Sequence, residues 1–154
     1  MTAIQDQLRN NHCYGCGTEN PHGMQIKSYL QGDECVCRYR PRPEQCAGPL
    51  QYVYGGTLAS LIDCHSNCTA MSNYYRLEGR EIGSDPEIWC VTGRLTVSYV
   101  APTPIDTEIV VRAVLADVGK RKTVVKSRVY SGDTLTAEGE MVAVRVADSW
   151  RNAT

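Results

Sequence analysis

The chain has 154 residues, 42% of them hydrophobic and 21% charged, with a formal net charge of −1. That is one domain's length, enough to bury a core without metal or disulfide, and its balanced charge argues against nucleic acid as the main partner. No window approaches the ~18 apolar residues of a membrane span, and Met1–Asn10 is polar where a signal peptide would be apolar, so a cytoplasmic protein with no membrane partner is expected.

Residues 11–24 hold Gly15, Gly17, Asn20, Pro21 and Gly23 and form a turn-rich lead-in. A first strand is expected from about Gln25 to Leu30 and a second from Glu34 to Arg40, joined by a turn at Gln31-Gly32-Asp33. Residues 41–53, with three prolines and Gly48, form a long loop of the kind that is often functional. From Leu58 to about Tyr75 there is neither Gly nor Pro. Leu58, Leu61, Ile62 and Met71 share a helical face, which Ala59, Cys64, Cys68 and Ala70 widen. Four strands follow: Glu87–Tyr99, stopped by Ala101-Pro102-Thr103-Pro104; Glu108–Asp117; Lys122–Tyr130; and Thr134–Val146. The expected order is two strands, one buried helix and a four-strand antiparallel meander. A helix that is apolar over most of its circumference is covered most economically by a strongly curved sheet.

The candidate chemistry sits at the start of the helix. Gly55-Gly56 leaves the backbone bare just where first-turn N–H groups lack an intrahelical acceptor. Such donors, reinforced by the helix dipole, can stabilise an oxyanion. Asp63 lies seven residues after Gly56, about two turns on and on nearly the same face. A carboxylate there can serve as general base or as nucleophile. Asn67 lies one turn after Asp63 and is placed to orient it, whereas His65 points elsewhere on an ideal helix. Cys13-x-x-Cys16 together with Cys35-x-Cys37 invites a zinc reading, but the second pair has the wrong spacing and falls in a strand. No metal is therefore expected: Cys13 and Cys16 are read as small apolar anchors, and the Cys64/Cys68 pair as core packing.

Three stretches carry a resemblance. Cys13–Met24 is similar to the Cys-aromatic-x-Cys-Gly…Asn-Pro-x-Gly lead-in of bacterial hot-dog thioesterases. Tyr54-Gly-Gly-Thr-Leu-Ala-Ser-Leu-Ile-Asp63 keeps the spacing of a His-Gly-Gly motif with an acid nine positions after the His. Leu95–Pro104 resembles the strand and Ala-Pro element that closes the third strand. Over roughly residues 13–146 the chain resembles the phenylacetate-pathway type of thioesterase within the 4-hydroxybenzoyl-CoA thioesterase superfamily.

The resemblance implies an α+β hot-dog fold, a curved antiparallel sheet wrapped around one long central helix. It implies a single domain over 1–154, with 1–24 as lead-in. The implied reaction is hydrolysis of an acyl-CoA or aroyl-CoA thioester, with no cofactor beyond the coenzyme A of the substrate. Gly56 would be the oxyanion donor, Asp63 the base or nucleophile, and Thr92 of a neighbouring subunit the residue that holds the water. Tyr54, Gly55 and Asn67 would border the substrate, and Arg94, Lys120, Arg121 and Lys122 would meet the coenzyme A phosphates. Residues 41–53 and the second half of the helix, with Met71, Tyr74 and Tyr75, would line the acyl pocket. A homodimer or a dimer of dimers, with the site between chains, is implied. Tyr54 departs from the motif His, and a phenol, unlike an imidazole, ordinarily stays neutral near pH 7. Two other readings follow from the same scaffold: a dehydratase or hydratase, and a non-catalytic acyl-CoA-binding module.

Overall fold

The computed structural model describes residues 1–152, so the last two residues of the expected domain lie outside it. The strands are β1 (Ser28–Gln31), β2 (Glu34–Tyr39), β3 (Trp89–Tyr99), β4 (Ile109–Val118), β5 (Lys122–Ser131) and β6 (Thr134–Val146). The long helix α1 runs Gly55–Leu77, and a short α2 spans Asp148–Arg151. One antiparallel sheet in the order β1-β2-β4-β5-β6-β3 wraps α1, which touches all six strands. This is the hot-dog architecture.

Two sequence expectations need correcting. The last four strands are not a simple meander: β4, β5 and β6 are, but β3 lies at the far edge and pairs only with β6. Pro102 and Pro104 cannot donate to a ladder, so the chain leaves the sheet after β3. It crosses the start of α1, where the Val53 N–H donates to the Thr103 carbonyl (2.8 Å) and the Ile105 N–H to the Gln51 carbonyl (2.9 Å). Secondly, β1 begins at Ser28 rather than Gln25. Gln25 has φ of 57°, which a strand cannot accommodate. Its side-chain amide instead ties the lead-in together, donating to the Gly17 (2.7 Å) and Asn20 (2.6 Å) carbonyls.

The helix is closer to the sheet than its side chains alone would allow. A Cβ at Gly139 of β6 would sit 2.5 Å from Ile62 Cγ2, so glycine there lets Ile62 seat on the sheet. Leu61, Ile62 and Ala70 are fully buried, alongside Val111, Val125, Val129 and Met141 from the strands. Tyr74 and Tyr75 also belong to this core and do not border an open acyl pocket. The Tyr74 hydroxyl donates to the Gly119 carbonyl (2.9 Å), and the Tyr75 hydroxyl accepts the Ile88 N–H (2.8 Å).

His65 is fully buried on the β1–β2 side of α1. Nε2 faces the Cys35 carbonyl (2.9 Å) and Nδ1 the Ser28 hydroxyl (2.7 Å), while Ser28 also accepts from Gln5 Nε2 (2.9 Å). A carbonyl only accepts, so Nε2 carries the proton and Nδ1 accepts from Ser28: the ring is neutral. Burial pulls its pKa down to about 4, against a small opposing effect of the Cys35 carbonyl. The unfolded chain therefore binds an extra proton between pH 6.5 and about 4, and stability present above pH 6.5 is lost as pH falls through that window. The loss expected from this residue is about 3 kcal/mol. Denaturant unfolding of wild type and His65→Gln at pH 7.5 and pH 4.5 checks it: the acid-induced loss should be markedly smaller in the variant.

Candidate active site

Two clusters form along the first half of α1. The first surrounds its N-terminus. Tyr54 is the residue before the helix, and its side chain makes no capping bond. The Thr57 N–H turns back to the Tyr54 carbonyl (3.0 Å), while the Gly55 and Gly56 N–H groups meet no acceptor among the described residues. Tyr99, at the end of β3, donates its hydroxyl to the Gly55 carbonyl (2.7 Å). Burial, and then the neighbouring Tyr54 phenol, push the Tyr99 pKa above its ordinary value. The Tyr54 side chain is 59% exposed, and its ring lies against Gly56, where a Cβ would be 2.3 Å from a ring carbon. A Cβ at position 56 would push the exposed Tyr54 ring aside. Beside this turn is an open recess of about 360 Å³ bordered by Val53, Gly55, Leu58, Tyr99 and Thr103. Of the 41–53 loop, only Val53 contributes to it.

The second cluster is built on Asp63. The Thr92 hydroxyl donates to Asp63 Oδ1, and Asn67 Nδ2 donates to Thr92 Oγ1 (2.9 Å). Thr92 therefore reaches Asp63 within one protomer, not from a neighbouring subunit as expected. Asn67 acts on Asp63 through Thr92 rather than by direct contact. A bulge explains the reach: Thr92 pairs with Ala143 and Arg94 with Val142, leaving Gly93 as an extra residue. Such a bulge re-aims the neighbouring side chain. A Cβ at Gly93 would lie 2.8 Å from the Val144 side chain, so the bulge is closed to larger residues.

The proton count in this chain is fixed. Thr92 has one hydroxyl proton and gives it to Asp63, so the Asn67 atom facing Thr92 must be the amide donor. Asn67 Oδ1 is then left buried and without a partner among the described residues. A buried unpaired acceptor of this kind is costly.

The two clusters are about 10 Å apart along α1, the rise of seven residues. The basic residues expected to meet coenzyme A are scattered. Arg94 is exposed on β3, close to Thr92 in sequence. Lys120, Arg121 and Lys122 are at the β4–β5 turn, next to Tyr74 near the far end of α1. About 27 Å of helix separates that turn from Gly56. His65 faces the core and contributes to neither cluster.

The family model described as the thioesterase superfamily matches residues 50–138, which include both clusters. The chain belongs to the thioesterase superfamily. A thioesterase-superfamily protein from Shewanella loihica PV-4 is 33% identical, with 90% of this chain and 96% of that chain covered and a TM-score of 0.67. A conserved protein from Pseudomonas aeruginosa is 22% identical (80% and 90% covered, TM-score 0.65) and shares the fold. The E. coli PaaI protein from the phenylacetic acid degradation operon also shares it, at 16% identity (80% and 81% covered, TM-score 0.65). No curated protein matches the sequence. Membership of this superfamily supports thioester hydrolysis as the reaction class. None of the described helices is long and apolar enough to cross a membrane.

Thr92 supplies the donor that orients the Asp63 carboxylate. Losing a hydrogen bond to a charged group costs about 1.5–3 kcal/mol. In a thioester-hydrolysis assay, Thr92→Val is expected to lower kcat about ten- to hundredfold at little change in KM. Asn67→Ala should fall in the same direction by less.

Proposed function

We propose that the protein hydrolyses an acyl-CoA or aroyl-CoA thioester to the free acid and coenzyme A, in a site shared between two protomers. The observation that carries this reading is the hydrogen-bond chain Asn67–Thr92–Asp63, facing a β3 edge that has no strand partner in the protomer. It holds one oxygen of the carboxylate and leaves the other free for water or for a carbonyl carbon. The superfamily membership and the unoccupied donors of Gly55 and Gly56 support the same reading.

In the proposed reaction the thioester carbonyl oxygen sits on the Gly56 N–H, where the helix dipole and the bare backbone favour negative charge. Asp63 either takes a proton from the attacking water or attacks the carbonyl carbon itself. The tetrahedral intermediate collapses with cleavage of the C–S bond, and the coenzyme A thiolate leaves and is protonated; where Asp63 is the nucleophile, water then hydrolyses the acyl–Asp63 anhydride, releasing the acid and restoring the carboxylate. A 10 Å gap between Gly56 and Asp63 in one chain is wide for a single carbonyl. Pairing of two copies along β3 would instead bring Asp63 of one protomer to Gly56 of the partner subunit. A dimer, or a dimer of such dimers, is the proposed assembly. Within the superfamily the proposed subgroup is the phenylacetate-pathway type, on the strength of the Cys13–Met24 lead-in and the Tyr54–Asp63 spacing. Arg94 is the proposed phosphate contact nearest the Asp63 cluster; Lys120 and Arg121 would reach coenzyme A only across the assembly.

A dehydratase reading loses support because His65 is turned into the core. The binding-module reading has one observation in its favour, the Tyr54 ring lying over Gly56 in place of the motif His.

Free-thiol release over a panel of acyl- and aroyl-CoA esters tests the proposal. Asp63→Ala should lower kcat/KM by about 10²–10⁴; tight binding without turnover in the wild type would favour the binding module. Asp63→Ala and Gly56→Ala proteins, each inactive alone, should recover activity when mixed and allowed to exchange subunits, because one site in each mixed dimer is then intact. No recovery, with mixed dimers demonstrated, would place both groups in one chain.

A further inference from the structure

We propose that Cys13, Cys16 and Cys64, with Cys68 as the adjoining fourth thiol, form a binding site for a soft divalent cation of the zinc class. The sulfur atoms of Cys13, Cys16 and Cys64 all lie within 4.8 Å of one another. Cys13 Sγ and Cys64 Sγ are 3.8 Å apart. Zinc–thiolate bonds of about 2.3 Å in a tetrahedron set neighbouring sulfurs about 3.8 Å apart. A disulfide would need about 2.05 Å.

The local backbone is built around this convergence. Cys13 and Cys16 occupy a tight turn closed by the Gly17 N–H on the Cys13 carbonyl (2.8 Å). Asn11 braces the turn from both sides, accepting the Cys13 N–H at Oδ1 (3.1 Å) and directing Nδ2 at Cys16 Sγ (3.8 Å). Such donors to a sulfur orient a ligand and temper its charge. A Cβ at Gly17 would lie 2.4 Å from the Cys13 nitrogen, and one at Gly15 would lie 2.3 Å from Cys64 Sγ. Two glycines are thus needed, one to make the turn and one to admit the helix thiol.

Cys64 and Cys68 are one helical turn apart on the same face of α1. Cys68 is buried outside the three-sulfur group, and Gln5 Nε2 approaches its sulfur (3.3 Å). Cys13 is exposed, which gives an ion a route in. The cluster offers thiols alone, a set that selects zinc over calcium or magnesium. On coordination each thiol releases its proton to solvent and binds as thiolate. Cys35 and Cys37, the pair that sequence spacing set beside Cys13 and Cys16, take no part. They lie on β2 against Ala113 and Val111, and burial pushes their pKa values up to about 11 and about 12.

The consequence is mechanical. Cys64 follows Asp63 in sequence, so the ion would clamp the 11–17 lead-in onto α1 beside the proposed carboxylate. The site does not depend on the acyl-CoA reading, and its test does not use activity.

Full-length protein without a metal-binding tag, reduced and purified under non-chelating conditions, should carry about one zinc per chain by elemental analysis. Cobalt(II) exchanged into it should give thiolate charge-transfer bands and the intense visible absorption of tetrahedral coordination. Cys13→Ser, which alters an exposed residue, and Cys64→Ser should reduce bound zinc to background, whereas Cys37→Ser should retain it. Cys68→Ala should alter the cobalt spectrum if all four thiols coordinate. Failure of the reduced wild type to take up zinc or cobalt would overturn the proposal. So would equal zinc in the Cys13→Ser and wild-type proteins, or a Cys13–Cys64 disulfide in the reduced preparation by peptide mass mapping.

Discussion

Burial of α1 in the curve of the sheet is the constraint from which the rest of the structure follows. The helix touches every strand, so each polar group on it must be paired inside the protein or turned to its one accessible stretch. Ser66 bonds Ser127 (3.0 Å), Thr69 bonds the His65 carbonyl (2.7 Å), and Ser72 bonds the Thr69 carbonyl (2.8 Å). His65 remains neutral for the same reason. Apolar burial at about 25 cal/mol per Å² drives the docking, and these pairings stop the polar residues from opposing it.

The same constraint shapes the site. A helix starting on Gly55-Gly56 and enclosed by the sheet presents its unpaired donors only at its N-terminal end, where the crossing strand exit at Thr103–Ile105 fixes the approach. Asp63 escapes burial because it faces the bulge in β3, and Gly93 turns that bulge so that Thr92 meets the carboxylate. Among the described residues, β3 has β6 on one side and no strand on the other. That open side of β3 lies next to the carboxylate, and it is there that the proposed second copy would join.

Much of this was legible in the amino-acid order. The run from Leu58 to Tyr75 without Gly or Pro and the alternation in β2 and β5 are local signals, and each corresponds to an element found; the Tyr54–Asp63 spacing marks residues that the fold sets in two separate clusters on α1. The misses are long-range. The placement of β3 beside β6 depends on a crossover that Pro102 and Pro104 only hint at. The contact of Thr92 with Asp63 depends on a one-residue bulge, for which Gly93 was the single available sign. Cys13 and Cys16 read as apolar anchors because the only partners sequence spacing offers, Cys35 and Cys37, do not suit a metal; that the fold brings Cys64 Sγ to 3.8 Å from Cys13 Sγ, from 51 positions away, has no local sign. Tyr74 and Tyr75 read as pocket residues because no local feature shows that backbone groups at Gly119 and Ile88 await their hydroxyls.

In the proposed site Gly56 of one protomer and Asp63 of the other, each held by its own hydrogen bonds on a buried helix, act on one thioester carbonyl. A crystal structure of the full chain with a hydrolysis-resistant acyl-CoA amide tests it most directly. The expected complex has the amide oxygen within hydrogen-bonding distance of a Gly56 N–H, the carbonyl carbon facing an Asp63 carboxylate, and Thr92 still bonded to that carboxylate. An analogue bound with its carbonyl remote from Gly56, the Tyr54 ring still lying over the glycine, would contradict it.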